Sequence, residues 1–337
     1  MTADVAALER RVRARLDRLT KPPGSLGLLE ELAVRFAVIK GEEMPSSARK
    51  AVYIFCGDHG VTEEGVSPYP SEVTRQMMRN FVNGGAAISV LARRLEAVAS
   101  VVDVGACGGP VSGVVDRKVA PGTQNFTWEP AMTREQASAA LAVGEEMASD
   151  ASERTDLVGL GEMGIGNTTC AAAVASAITG RDPAETAGPG TGLTPEGVER
   201  KIDVIRRALA LHKPDPADGL GVLAAVGGFE IGAIAGFILR ASELRLPIVL
   251  DGFPCCSAAL IARALRPDAL KTTFFSHQSQ EQGHRLILDH LGAAAWFDFG
   301  MRLGEGTGTA IMMGIIDLSV RLYREMATFD EAGISVS

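Results

Sequence analysis

The sequence predicts an α/β protein, a doubly wound and mostly parallel sheet with helices on both faces. Short, continuously apolar runs recur along the chain, each ends in Gly, Asp or Ser, and each is followed by a segment of helical periodicity. Strands buried on both faces read as unbroken apolar runs, and parallel neighbours need a crossover long enough for a helix.

The start, "MTADVAALERRVRARLDRL", is a charged helical pattern without the apolar centre of a signal peptide, and a further helix is expected over 26–40. The strand runs are "AVYIFCGDHG" (51–60), "VASVVDVGACGG" (98–109), "TDLVGLGEMGIGN" (155–167), "PIVLDGF" (247–253), "KTTFFSH" (271–277) and "WFDFGMRLGEG" (296–306). Helices are predicted between and after them at 71–95, 133–149, 167–179, 194–211, 221–243, 255–265, 279–291 and 307–326. Leu220 to Leu239 is the most apolar region, but Glu230 and several glycines break it, so it reads as a buried helix pair and no membrane span is expected. The domains expected are a large α/β catalytic domain over 45–305 and a smaller helical domain from 1–44 plus 306–337.

With 337 residues, 46% of them hydrophobic, the chain can bury a large core. A net charge of −8 argues against a nucleic-acid partner, because phosphate-backbone binding rests on a basic field, whereas a small anionic substrate needs only local cations. Five cysteines, with no C-x-x-C and one adjacent pair, read as a reducing cytoplasm.

In a doubly wound fold, ligands sit beyond the carboxyl ends of the strands, and nearly every polar motif falls there. "GEMGIGNTT" (161–169) opens a small-residue helix; it is either an anion site of backbone N–H groups with Asn167, Thr168 and Thr169, or a tight packing turn. "GPGTGLTPEGVERK" (188–201) has three glycines in five residues, then Thr194 as N-cap, Pro195 at the first helical position and Lys201 two turns on. Lys201 is either a phosphate cation or a solvated helix residue. "SHQSQEQGH" (276–284) spaces His277 and His284 poorly for zinc, and its serines read as hydroxyls for phosphate or ribose, or Ser279 as an N-cap. His59 in "GDHG" is a general base or a loop hydrogen-bonder; Asp251 in "DGF" binds a ribose hydroxyl or caps a turn. In "MRLGEGTGTA" (301–310), Glu305 stands between glycines that leave no side-chain wall, and with Glu162 it gives two carboxylates at strand ends.

Together these motifs, with "LTKPPGSLGLLEELA" and "GDHGVTEEGVSPYPSEVTRQMMRNFVNGGAAI", resemble the nicotinate-nucleotide:dimethylbenzimidazole phosphoribosyltransferases of the cobalamin lower-ligand pathway, over nearly the whole chain. The resemblance implies a Rossmann-like three-layer α/β/α fold with a mostly parallel sheet and a smaller, mainly helical domain, and a homodimer; a reaction of this kind requires no metal, and no cofactor is expected. It implies phosphoribosyl transfer from nicotinate mononucleotide to 5,6-dimethylbenzimidazole. Glu305 would be the general base; Glu162, Gly164, Gly166, Asn167, Lys201, Gly252 and Ser279 would bind the nucleotide; Tyr69, Gln76, Met77 and Leu303 would lie near the benzimidazole. Gln278 and Pro254-Cys255-Cys256 depart from the family's pattern and bear on nucleotide and base preference. The competing readings are a phosphoribosyltransferase with phosphoribosyl pyrophosphate as donor, which lacks its acidic motif here, and a nucleotide-binding regulatory module without turnover.

Overall fold

The computed structural model describes residues 3–335. Among them, β1 (Lys50–Gly57), β2 (Val98–Gly105), β3 (Val115–Asp116), β4 (Leu157–Met163), β5 (Ile248–Leu250) and β6 (Thr273–Phe275) form one sheet in the order β3-β2-β1-β4-β5-β6. Every strand pair is parallel.

Alternation along β1 divides the core: Phe55 packs into one face of the sheet, Val52, Ile54 and Cys56 into the other. Over the Phe55 face lie α5 (Arg134–Arg154), α6 (Asn167–Thr179), α9 (Gly219–Val226), α10 (Phe229–Leu244) and α11 (Phe253–Leu265), whose Ala and Gly residues let backbones approach closely. Over the opposite face lie α2 (Leu28–Lys40), α3 (Glu72–Val82), α4 (Ala87–Arg94) and α13 (Thr307–Glu325). A separate small cluster joins Leu8, Val12 and Leu16 of α1 (Ala3–Arg18) to Ala33, Val34 and Ala37 of α2 and Tyr323 of α13. The remaining helices are α7 (Pro183–Thr186), α8 (Pro195–His212), α12 (Gln282–Leu291) and α14 (Phe329–Ala332). Among the described residues no helix is long and apolar enough to cross a membrane.

Local sequence accounts for most boundaries. Thr194 caps α8 by accepting the Gly197 N–H, with Pro195 as its first residue. Thr133 and Gln136 form a capping box on α5. Three expectations are corrected. The segment 296–306 is not a strand: it keeps one bridge, His277 to Phe297, because Gly300, Gly304, Glu305 and Gly306 all take positive φ and turn the chain off the strand direction. The predicted helix at 71–95 breaks after Asn83, where Gly84 is left-handed, whereas the region 221–243 is the expected buried helix pair, divided at Gly227-Gly228. The helix placed at 279–291 begins only at Gln282, so its N-cap is Glu281 and not Ser279. The two-residue β3 was not foreseen.

The order of strands reverses between β1 and β4, the switch point where such sheets open a crevice. That crevice is filled. His59, after β1, and Glu230, at the start of α10, are both buried with Nε2 and Oε1 3.1 Å apart. Beside that pair a cavity opens over the carboxyl ends of β4, β5 and β6, bordered by the segment that follows β1.

The tightest helix crossing joins α5 to α10. A Cβ added at Gly144 would lie 1.8 Å from the Ala233 carbonyl oxygen. Gly144→Ala is therefore expected to destabilise the protein by about 3 kcal/mol, read as a lower denaturant midpoint at constant slope; an unchanged midpoint would mean the helices do not cross this closely.

Candidate functional site

The cavity, about 650 Å³, has an apolar wall of Tyr69, Val73 and Met77 on and before α3. The opposite side is made by the end of β4 and the segment after it (Glu162 to Ile165, Asn167 and Thr168), by Gly252–Pro254 after β5, by His277, Ser279 and Glu281 after β6, by Gly190-Thr191, and by Arg302–Glu305. Such a mixture suits a flat apolar ring at one end and a polar group at the other.

Asp251 anchors the Glu305 loop. It is fully buried, and its carboxylate accepts the amide N–H of Gly306 (2.9 Å), Gly308 (2.8 Å) and Thr309 (3.2 Å). The side chain thus caps α13, the turn-capping reading of this residue, and sets a negative charge at a helix N-terminus. Burial pushes the Asp251 carboxyl up, while His277 and the three amides pull it down. Held this way, Gly304, Glu305 and Gly306 take φ of 83°, 64° and 90°. Close approach completes the constraint: a Cβ at Gly161 would lie 2.6 Å from the Gly306 nitrogen, and one at Gly304 2.7 Å from Glu162 Oε1.

Glu305 is 8% exposed and its Oε2 has no hydrogen-bond partner. Burial, and then the charge of Asp251, push its carboxyl up to about 7. Glu162, 5% exposed, accepts from the Asn167 amide at the first turn of α6. Its carboxyl is pushed further, to about 8, by burial first and then by Asp251 and Glu230, against the pull of Asn167. At neutral pH Glu162 is therefore mostly protonated, while Glu305 stands near its midpoint.

At the other end of the cavity Arg302 and Glu281 line the wall, with Lys201 behind Thr168. No side chain caps the start of α6, whose N-cap is the left-handed Gly166; the Asn167 and Thr169 amides donate to the Gly164 and Gly166 carbonyls at 3.1 and 2.9 Å, and Thr168 between them lines the cavity. Lys201, wholly buried on α8, reaches Thr168 Oγ1 at 2.8 Å and the Gly188 carbonyl at 3.2 Å. Burial lowers its ammonium to about 8, with Glu281 acting in the opposite sense. Arg302 ties the facing loop to the Gly190 carbonyl at 3.0 Å. The Ser279 amide donates to His284 Nδ1 at 2.9 Å, which makes Nε2, 3.1 Å from Cys256 Sγ, the protonated nitrogen. Burial lowers His284 to about 3, so the ring is neutral and holds the Ser279 loop.

Of the residues expected at the site, Glu162, Gly164, Asn167, Gly252, Ser279, Tyr69, Met77, Leu303 and Glu305 line this one cavity. Gly166 stands behind it as a helix cap, and Lys201 stands behind Thr168. Gln76 is exposed and borders a neighbouring cavity of about 420 Å³ with Asp58, Arg75 and Arg79, because Val73 and Met77 occupy the helix face turned to the site. His59 does not line the cavity; it is buried between Glu230 and Cys170. Thr168, named from the sequence with the anion site, also lines the cavity, whereas Arg302, Glu281 and His277 were not singled out as ligand-binding. Arg302 and Glu281 lie inside the quoted motifs, but nothing in their spacing tells a cavity residue from a loop residue. Among the described residues no group of three or more His, Cys, Asp or Glu is arranged to hold a metal.

A family model described as "Phosphoribosyltransferase" matches residues 2–334. The nicotinate-nucleotide–dimethylbenzimidazole phosphoribosyltransferase of Geobacter sulfurreducens is 51% identical over 98% of this chain and 95% of its own length. That of Chloroflexus aggregans is 50% identical over 96% and 92%. The crystal structure of CobT from Thermus thermophilus superimposes with a TM-score of 0.92 at 45% identity, covering 98% of this chain and 100% of that one.

The raised Glu162 carboxyl links folding to pH. A group at about 8 folded and near its ordinary value unfolded binds more protons when folded, so its penalty is absent in acid and grows as pH rises toward 8. Glu162→Gln should raise Tm at pH 8 relative to the parent and leave Tm at pH 4 nearly unchanged; an equal shift at both would contradict the assignment.

Proposed function

The chain belongs to the nicotinate-nucleotide–dimethylbenzimidazole phosphoribosyltransferase family, and on that premise we propose that it transfers the phosphoribosyl group of nicotinate mononucleotide to 5,6-dimethylbenzimidazole. The products are α-ribazole 5′-phosphate and nicotinate, with Glu305 as general base. The observation that carries this reading is a buried carboxylate with an unpartnered oxygen in the wall of a cavity whose other side is apolar.

The chemistry asks for little else. The bond that breaks joins ribose C1′ to a pyridinium nitrogen; its electron pair neutralises the ring, which leaves without a proton. The lone pair of one benzimidazole nitrogen forms the new bond on the opposite face of C1′, which inverts that centre. The other ring nitrogen, now more acidic, gives its proton to Glu305. Positive charge developing on the ribose is met by the carboxylate. Glu162, mostly protonated, donates to the sugar, and the N-terminus of α6 with Thr168, Ser279, Lys201 and Arg302 receives the phosphate. Alignment of the two rings on C1′ supplies the rest of the acceleration.

The same reading takes a cytoplasmic homodimer with residues 1–44 and 306–337 as a smaller domain. The cluster of Leu8, Val12, Leu16 and Tyr323 supports that division, although α13 also packs on the sheet.

Incubation with both substrates, followed by identification of the nucleotide and its C1′ configuration, tests the reaction. An α-nucleotide with one nicotinate released per product is expected; product formed only from phosphoribosyl pyrophosphate and magnesium would refute it. Glu305→Gln should lower kcat by about a hundred- to ten-thousandfold while the mononucleotide Kd stays within a few fold. Because Glu305 must be ionised to accept a proton, parent kcat/KM should fall below about pH 7, and that limb should vanish in the variant. Lys201→Met should weaken the mononucleotide more than the free base; equal weakening would contradict a phosphate role.

A further inference from the structure

Glu281 stands at the end of the cavity that the proposed function assigns to phosphate, and it is a carboxylate. The side chain is 5% exposed, lines the cavity, and has no hydrogen-bond donor on either oxygen. The loop beside it is fitted to the carboxylate, since a Cβ at Gly188 would lie 2.5 Å from Glu281 Oε2. Burial raises its proton affinity above the ordinary carboxylate value, while Lys201, Arg302 and the nearby Gly190 amide pull the other way and hold a charge there, yet neither cation comes within ion-pair distance of it. Both cations have part of their donor capacity committed, Lys201 to Thr168 and Gly188, Arg302 to Gly190.

A buried carboxylate with two free oxygens is acceptor-only. A fully deprotonated anion placed beside it offers only acceptors, and the two repel. A phosphate monoester that retains one proton offers a P–O–H donor. The charges agree: Lys201 and Arg302 balance Glu281 and one negative charge on the ligand, whereas a dianion leaves the end of the cavity with an uncompensated charge. The titratable groups facing this end are Lys201 from α8, Arg302 from the loop before α13 and His277 after β6. On its own helix, α12, His284 is neutral with Nδ1 occupied by Ser279. Glu162 and Glu305 lie on the same cavity wall.

We propose that Glu281 is a specificity-determining residue whose carboxylate accepts a hydrogen bond from a protonated phosphate oxygen, so that the site takes a phosphate monoester as its monoanion and refuses tetrahedral anions that carry no proton. No bond is made or broken in this step, and the proton is the ligand's own. The inference rests on the reading of this cavity as a mononucleotide site. Glutamine at 281 would remove the requirement, because its amide donates as well as accepts.

Calorimetric titration of the parent protein and of Glu281→Gln with inorganic phosphate and with sulfate, at about pH 6 where phosphate keeps its proton, is the test. The parent should bind phosphate at least about tenfold more tightly than sulfate, and in Glu281→Gln the two should differ by about twofold or less. Equal binding of the two anions by the parent, no binding of either, or a preference that survives in Glu281→Gln would overturn the proposal. The parent comparison decides even if the variant does not fold. Neither titration needs turnover: a protein that discriminates but transfers nothing refutes the proposed reaction, and one that transfers but binds sulfate equally refutes the role of Glu281.

Discussion

The Asp251 carboxylate, buried at the end of β5, is the interaction on which the site depends. By accepting three amides at the start of α13, it joins a strand end to a helix whose first residues lie 55 or more positions later in the chain. A non-glycine residue in left-handed conformation is disfavoured by roughly 1–2 kcal/mol. Hydrogen bonds to a charged group contribute about 1.5–3 kcal/mol each. Three of them outweigh the strain at Glu305, and the close packing of Gly161 and Gly304 leaves the loop no other course. Glu305 therefore projects into the cavity from a backbone that cannot relax, which is how a base is kept at a fixed place without a hydrogen bond to its own acceptor oxygen.

The same carboxylate governs the proton affinities around it. Asp251 has the amides and His277 to satisfy its charge; Glu162 and Glu305 lack comparable donors and sit in its field. Packing acidic groups into one low-dielectric spot separates their roles: one is held by three amides as structure, one is mostly protonated, and one is left near its midpoint at neutral pH. The switch-point crevice, where a doubly wound sheet ordinarily receives its ligand, is meanwhile closed by His59 and Glu230. The cavity opens beside that pair, over the ends of β4, β5 and β6 and against α3.

Much of this was legible locally. The Gly-Asn start of α6 and the Thr194-Pro195 start of α8 depend on residues a turn away, and the sequence patterns for them suffice. Unbroken apolar runs gave β1, β2 and β4 for the same reason. The strand misread at 296–306 reads as another apolar run ending in Gly, but it has four positive-φ residues, three of them within Gly304–Gly306, and those obey Asp251, which is distant in sequence. The partner of a buried polar group is a tertiary fact. For that reason Asp251 kept two readings, and Arg302 and Glu281 could not be told from surface loop residues. Gln76 shows the opposite effect: a motif residue whose helix face is decided by Val73 and Met77.

Titration of the Glu305 carboxyl itself, by isotope-edited infrared spectroscopy of the folded protein with Glu305→Gln as the difference reference, tests the central claim most directly. A midpoint at about 7 is the result expected of a buried carboxylate in the field of Asp251. A midpoint near the ordinary value for glutamate would mean that this side chain is solvated and unconstrained, and the account of the site would fail with it.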